Sequence, residues 1–245
     1  MQKTSDTYKA IMRGRHWFEV RLQINGIPYL QSDIFSMRIS RQLFNGENPT
    51  IGSCVSAEID LVIKKPTVTI PRNAYIIPGY RVTNGTDYSE WIPKGEFWID
   101  TRQETKNPSG IDTLTIHGYD AMLMLSQKTA SFDHMSVSMF MEKIYSEFGI
   151  AYDHNYGDGI ANQYLSAVVA HGCKGKTYRE ILSVFALMLC GNFVIDEIEF
   201  PHNGETKKAF GLKLIRFTAI PAEPNSFLID ESGNYILVGG DRIIV

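Results

Sequence analysis

The 245 residues are 44% hydrophobic and 21% charged, with 24 Lys and Arg against 27 Asp and Glu for a formal charge of −3. That balance excludes a largely disordered chain, whose apolar content is too low to offset ordering entropy, and a general phosphate-backbone binder, which needs a Lys and Arg excess. The longest apolar stretch, Ile181 to Ile195, is broken by Ser183, Gly191 and Asn192 and falls short of the roughly 18 residues of a membrane span. Met1 to Ala10 is polar and has no apolar signal core. The expectation is a soluble, folded protein with no stable membrane insertion and no specific nucleic-acid binding.

In chain order, Phe18, Val20, Leu22 and Ile24 alternate with Glu19, Arg21 and Gln23, and Asn25-Gly26 supplies residues that tolerate positive φ. This predicts a tight hairpin returning through Ile27 to Leu30. Ile34 to Ile39 reads as another strand, and Val55, Ala57, Ile59, Leu61 and Ile63 line one face of the next. Pro66, Pro71 and Pro78 lack the ladder N–H and are expected at strand starts, edges or turns. Asn84-Gly85 closes a polar excursion. Phe97 to Thr101 and Leu114 to His117 read as strands joined through the turn-forming residues Lys106 to Gly110. Many short strands at this spacing predict a closed or nearly closed antiparallel barrel.

Near residue 127 the period changes. Val137, Phe140, Met141, Ile144, Tyr145 and Phe148 share one helical face, with Ser136 as N-cap and Gly149 as a left-handed stop. A second helix runs from about Tyr178 to Cys190, opened by the capping-box pair Thr177 and Glu180 and stopped by Gly191. Its apolar residues nearly encircle it, which predicts the most buried helix of the chain. Phe193 to Ile198 and Leu212 to Phe217 read as a hairpin with Asn203-Gly204 in its loop. The fold class is thus β-rich α+β: an antiparallel β-barrel, then a small α/β domain with two helices.

No group of residues nominates catalysis, a cofactor or a metal. Cys54, Cys173 and Cys190 have neither disulfide-framework nor CxxC spacing and read as small buried apolar residues in a reduced compartment; His171-Gly172-Cys173 lacks a second cluster at zinc spacing. Asp153, Asn155 and Asp158 fall short of a calcium loop because Tyr164 stands where the bidentate acid belongs. His117, Asp120 and His134 suggest acid–base chemistry only weakly: Asp120 more simply caps a short turn at Ala121 to Leu125, and His117 sits on a strand. Glu96 and Asp100, four residues apart on a strand, would share a face some ~13 Å apart, beyond glycosidase reach. Met122, Met124, Met135, Met139 and Met141 read as adaptable packing. Phosphate loops, GxSxG and HExxH are absent.

A resemblance says more than the chemistry. Glu90-Trp91-Ile92-Pro93-Lys94-Gly95-Glu96-Phe97-Trp98-Ile99-Asp100, followed by Leu114-Thr115-Ile116-His117-Gly118-Tyr119-Asp120-Ala121-Met122, resembles the first barrel of baseplate-hub and tail-associated-lysin proteins of tailed phages and phage-like particles. Ile51 to Glu58 is similar to that family's small-residue strand start. Glu147-Phe148-Gly149-Ile150, Thr177 to Leu182 and Gly191 to Asp196 resemble the hub's inserted α/β domain. The resemblance spans about residues 16 to 220. It implies an N-terminal arm (1–15), a first hub barrel (16–126), an α/β domain (127–220) and a terminal hairpin (221–245) that starts a second barrel. The implied role is structural and non-enzymatic. It is a ring-forming hub of the tail tip, usually a homotrimer, joining distal tail or tail tube proteins to a spike or fibre-like extension and assembled in the bacterial host cytoplasm. Two other classes remain open on the residues: a carbohydrate-binding adhesin using Tyr88, Trp91 and Trp98, or the N-terminal part of a tail-associated peptidoglycan hydrolase. The apolar end Ile243-Ile244-Val245 is expected to continue into a longer polypeptide, the alternative being a short hub whose last hairpin docks on its own first barrel or on a neighbour.

Overall fold

The computed structural model describes residues 4–44, 46, 50–108, 110–153, 168–202 and 205–217, and the backbone of two short strands at 237–238 and 241–242. A helix, α1 (Asp6–Met12), is opened by Ser5, whose side chain accepts the Tyr8 N–H. It lies on the following sheet through buried Ile11, through Tyr8, whose hydroxyl is 3.3 Å from that of Tyr80, and through Ser5, whose N–H donates to Glu90 Oε1 at 2.7 Å.

The sheet is built from β1 (Trp17–Ile24), β2 (Ile27–Leu30), β3 (Ile34–Ser40), β4 (Glu58–Lys64), β5 (Tyr75–Thr83), β6 (Ile92–Pro93), β7 (Phe97–Thr105) and β8 (Thr113–Tyr119). All pairings are antiparallel, in the order β2-β1-β5-β7-β8-β4-β3, with β6 alongside β5. Asn25 (φ 51°) and Gly26 (φ 81°) make the expected left-handed turn between β1 and β2. The two ends of the ladder, β2 and β3, are joined only by the 3-10 turn Gln31–Asp33, so the sheet must curl back on itself. Alternate residues from the strands meet inside this roll: Leu22, Ile24, Ile59, Leu61, Ile63, Ile76, Phe97 and Ile116 are buried in one cluster. Among the described residues no ladder pairs β2 with β3.

Three expectations need correction here. The strand read from Val55 begins at Glu58: Cys54 is drawn into the second core, and Ala57 already packs in the roll but donates its N–H to Asp120. Pro78 lies inside β5. Asn25 N–H donates to Tyr75 O at 2.9 Å, and the alternation that follows puts Leu22↔Pro78 at a position without ladder bonds between β1 and β5. On the other side Lys94 N–H donates to Pro78 O at 2.8 Å, and the Lys94 carbonyl, which gets no N–H from proline, accepts from Arg41. Asp100, finally, is the extra residue of a β-bulge between Ile99↔Gly118 and Thr101↔His117, which breaks the alternation that would align it with Glu96. The bulge brings backbone close to Gly118, where a Cβ would stand 2.6 Å from Trp98 O.

The second core forms from α2 (Val137–Phe148), α3 (Tyr178–Met188) and the hairpin β11 (Gly191–His202) and β12 (Glu205–Arg216), with the short pair β9 (Met135–Ser136) and β10 (Val169–Ala170). The caps are as read: Ser136 accepts the Met139 N–H, Gly149 turns left-handed at φ 69°, and Thr177 and Glu180 complete the capping box. Phe140 is central, its ring 5.4 Å from Tyr178 and 5.3 Å from Phe185. Helix α3 ends earlier than expected, at Met188. Cys190, not Gly191, takes the left-handed turn (φ 51°), and Gly191 opens β11, where a Cβ would meet Ile215 O at 2.6 Å. Nor is α3 buried all round, since Val184, Leu187 and Met188 face outward. Cys54 and Cys173 are buried as expected, but Cys190 is exposed on its turn. Asn203-Gly204 lies outside the described residues. Two further short strands, β13 (Leu237–Val238) and β14 (Asp241–Arg242), pair antiparallel. The chain is β-rich α+β, with three helices among the described residues.

Candidate functional site

Between β3 and β4 the stretch 50–54 leaves the roll and reaches the second core, where Cys54 is buried. Asn192 holds it there. This side chain is fully buried, and its amide is completely used: Oδ1 accepts the Ser53 N–H at 2.8 Å, while Nδ2 donates to Leu43 O at 2.9 Å and Thr50 O at 3.0 Å. Backbone bonds from Gly52 N–H to Gly191 O (3.0 Å) and from Phe193 N–H to Ser53 O (3.1 Å) continue the join. Arg179 on α3 donates through Nε to Cys54 O at 2.5 Å, and Phe44 stacks on Phe217 with ring centroids 5.8 Å apart.

Asp120 ties the other crossing strand. Its carboxylate accepts Ala57 N–H at 2.9 Å and Met122 N–H at 3.0 Å, so it fixes the start of β4 and caps the turn that carries Ala121 to Leu125 into the second core. Burial pushes its pKa up to about 6, outweighing those two N–H bonds and the nearby Arg41 and Arg179. Within the second core Glu147 receives Lys128 and Lys143 Nζ, each at 2.6 Å, and the Tyr178 hydroxyl at 2.8 Å. Burial opposes its ionisation, but these three donors win and hold its carboxyl at about 2. Between roll and second core lies a cleft of about 560 Å³ that includes Trp98, Asp100, Tyr119, Asp120, Lys128 and Glu147.

The residues that suggested chemistry are accounted for by structural bonds or stand apart. His117 Nδ1 is 2.7 Å from Asp60 Oδ1 on the neighbouring strand, separate from the backbone-bonded Asp120. His134 stacks on His171 at 5.9 Å. Cys173 is buried and donates weakly to Ala170 O at 3.7 Å, while His171 is exposed. Burial pushes the Glu96 carboxyl up, and Asp100 is exposed on its bulge. Asp153 N–H donates to Leu212 O at 2.8 Å; Asn155, Asp158 and Tyr164 lie outside the described residues. Met122 and Met141 are fully buried, whereas Met139 is exposed. Among the described residues no three His, Cys, Asp or Glu side chains gather as a metal site, and no helix is long and apolar enough to cross a membrane.

No family model matches the chain, and no curated protein matches it. Among solved structures it is similar to a 43 kDa tail protein of prophage MuSo2 from Shewanella oneidensis, with 15% identity over 90% of this chain and 58% of that one (TM-score 0.48). It is similar to a tail protein from Neisseria meningitidis MC58, with 10% identity over 80% of this chain and 51% of that one (TM-score 0.46). It is also similar to a chain of the half-lidded PdpA–VgrG complex of Francisella, with 8% identity over 80% of this chain and 31% of that one (TM-score 0.50). The likeness is one of fold. The chain spans little more than half the length of the two tail proteins it matches.

Sequence reasoning missed the residues that join the two cores. Asn192 was visible only as an interruption of an apolar run, and its meaning as a polar residue inside a buried stretch was the available signal. Arg41 and Arg179 carried none, since their acceptors are backbone carbonyls distant in sequence. Of the aromatics, Tyr88 is exposed, Trp98 is half-buried in the cleft and Trp91 is half-buried between two arginines.

Proposed function

We propose that the chain is a structural component of a phage-type tail, the hub of the tail tip or baseplate, closing as a homotrimeric ring around the tail axis. In this reading the roll of 16–126 forms the ring wall and the domain of 127–220 is inserted beside it. One side meets distal tail or tube proteins, and the other meets a spike or fibre-like extension. The observation that carries the reading is the hub-type motif order on the fold shared with the Francisella PdpA–VgrG structure at TM-score 0.50. The motif residues also do fold-specific work: Pro93 and Gly95 shape the entry to β7, Gly118 admits the bulge and Asp120 ties β4 to β8. A cyclic ring closes heterologous interfaces and leaves no free complementary surface. Asp120 is committed to two backbone N–H bonds and His117 is paired with Asp60, which supports a non-enzymatic role.

Mass spectrometry of purified tail particles tests the role, with the chain expected as a stoichiometric tail component. Its absence from particles, or clearing of peptidoglycan by the isolated chain in a zymogram, would overturn the reading.

A further inference from the structure

The outward face of β1 and β5 carries an arrangement that the fold itself does not require. Trp91 lies between two arginines, with the guanidinium of Arg21 4.5 Å and that of Arg81 4.7 Å from its ring centroid, and Tyr88 covers Arg81 at 4.2 Å. Arg81 is satisfied: its Nε and Nη2 reach Glu19 Oε2 at 2.7 and 2.6 Å. Arg21 is not. Among the described residues its guanidinium has neither a carboxylate nor a hydrogen-bond acceptor, and burial together with Arg81 holds its pKa below the ordinary arginine value. Its cross-strand neighbour on one side is Gly79, which has no side chain to screen it, and on the other side Leu30, which is 60% exposed.

We propose that this face is a docking surface for a neighbouring protein subunit, and that Arg21 receives an aspartate or glutamate carboxylate from it. Trp, Tyr and Arg flanked by exposed leucine is the composition of an interface hot spot. A stacked, half-buried cation beside a second cation is costly while it stands alone and is compensated when a planar carboxylate meets the guanidinium fork. Charge favours a single carboxylate over a polyanion, because one of the two stacked arginines is already neutralised and the chain as a whole is at −3. The proposal rests on the tail reading and adds to it which face meets a neighbour and through what chemistry.

The test compares particles assembled with the wild-type chain, Arg21→Lys, Arg21→Gln, Arg21→Glu and Leu30→Glu, scoring the amount incorporated and the melting of each isolated chain. All variants are expected to melt as wild type. Arg21→Gln should lower incorporation about tenfold or more, Arg21→Glu further, and Arg21→Lys less than either. Leu30→Glu, which leaves the stack intact, should also lower it and decides the matter if an Arg21 variant fails to fold. Equal incorporation of wild type and variants overturns the proposal alone, whereas wild-type chain missing from particles overturns the tail reading and the proposal with it. Binding of a single-stranded oligothymidine by the isolated chain, lost in Arg21→Gln, overturns it in favour of a nucleic-acid surface.

Discussion

Asn192 and Asp120 do at single positions what hairpins do for whole strands: each fixes backbone from distant parts of the chain. Asn192→Ala leaves Ser53 N–H and the Leu43 carbonyl without their partner and Thr50 O with only the Ser53 hydroxyl at 3.3 Å, and denaturant melts should show a loss of about 2–4 kcal/mol. Asp120 makes stability depend on pH. Its pKa rises from 3.8 to about 6 on folding, so the folded protein binds this proton more tightly than the unfolded chain. The contribution is complete below pH 3.8 and disappears as pH rises through about 6, amounting to at most about 3 kcal/mol. Asp120→Asn removes the titration, so the difference between wild-type and variant melts should change across that window; parallel curves from pH 4 to 7 would contradict the assignment. The capping role of Asp120 was legible because the turn follows it directly in sequence. The Ala57 bond was not, since its donor is far off along the chain.

At the scale of elements, the periodicities predicted the strands and helices where one face is buried and failed where tertiary contacts override them. Helix α3 is the clearest case. Its composition reads as buried all round, yet Leu187 is 59% exposed while Phe185 is fully buried against Phe140. Phe185→Ala should therefore cost about 3–5 kcal/mol, through lost burial and the cavity left behind. Leu187→Ala should stay within about 0.5 kcal/mol. Melts of the two variants separate a buried face from an encircling one. The bulge at Asp100 was illegible for a related reason: alternation has no memory of an extra residue, and the pointer to it was Gly118, where the close approach of Trp98 O excludes a side chain. Pro78 was misplaced because the rule that keeps proline from strands assumes two continuous neighbours. Here β5 passes from β7 to β6, and Arg41 takes the carbonyl that proline leaves free.

For the whole molecule, the sequence carried the architecture in outline: a rolled antiparallel sheet, then two capped helices and a long hairpin. What it could not carry was the traffic between them. Cys54 belongs by sequence to the roll and by packing to the second core, so Cys54, Asn192 and Arg179 make one join from three remote segments. The join ties the roll to the α/β part through side-chain and backbone bonds from all three segments. The proposed ring requires several copies to close on the tail axis. Class-averaged electron micrographs of intact particles, with density assigned by fitting this fold, test it most directly. A homotrimeric ring predicts three copies related by rotation about the axis, with the roll as the wall of the ring, and a single copy seated off the axis would contradict it.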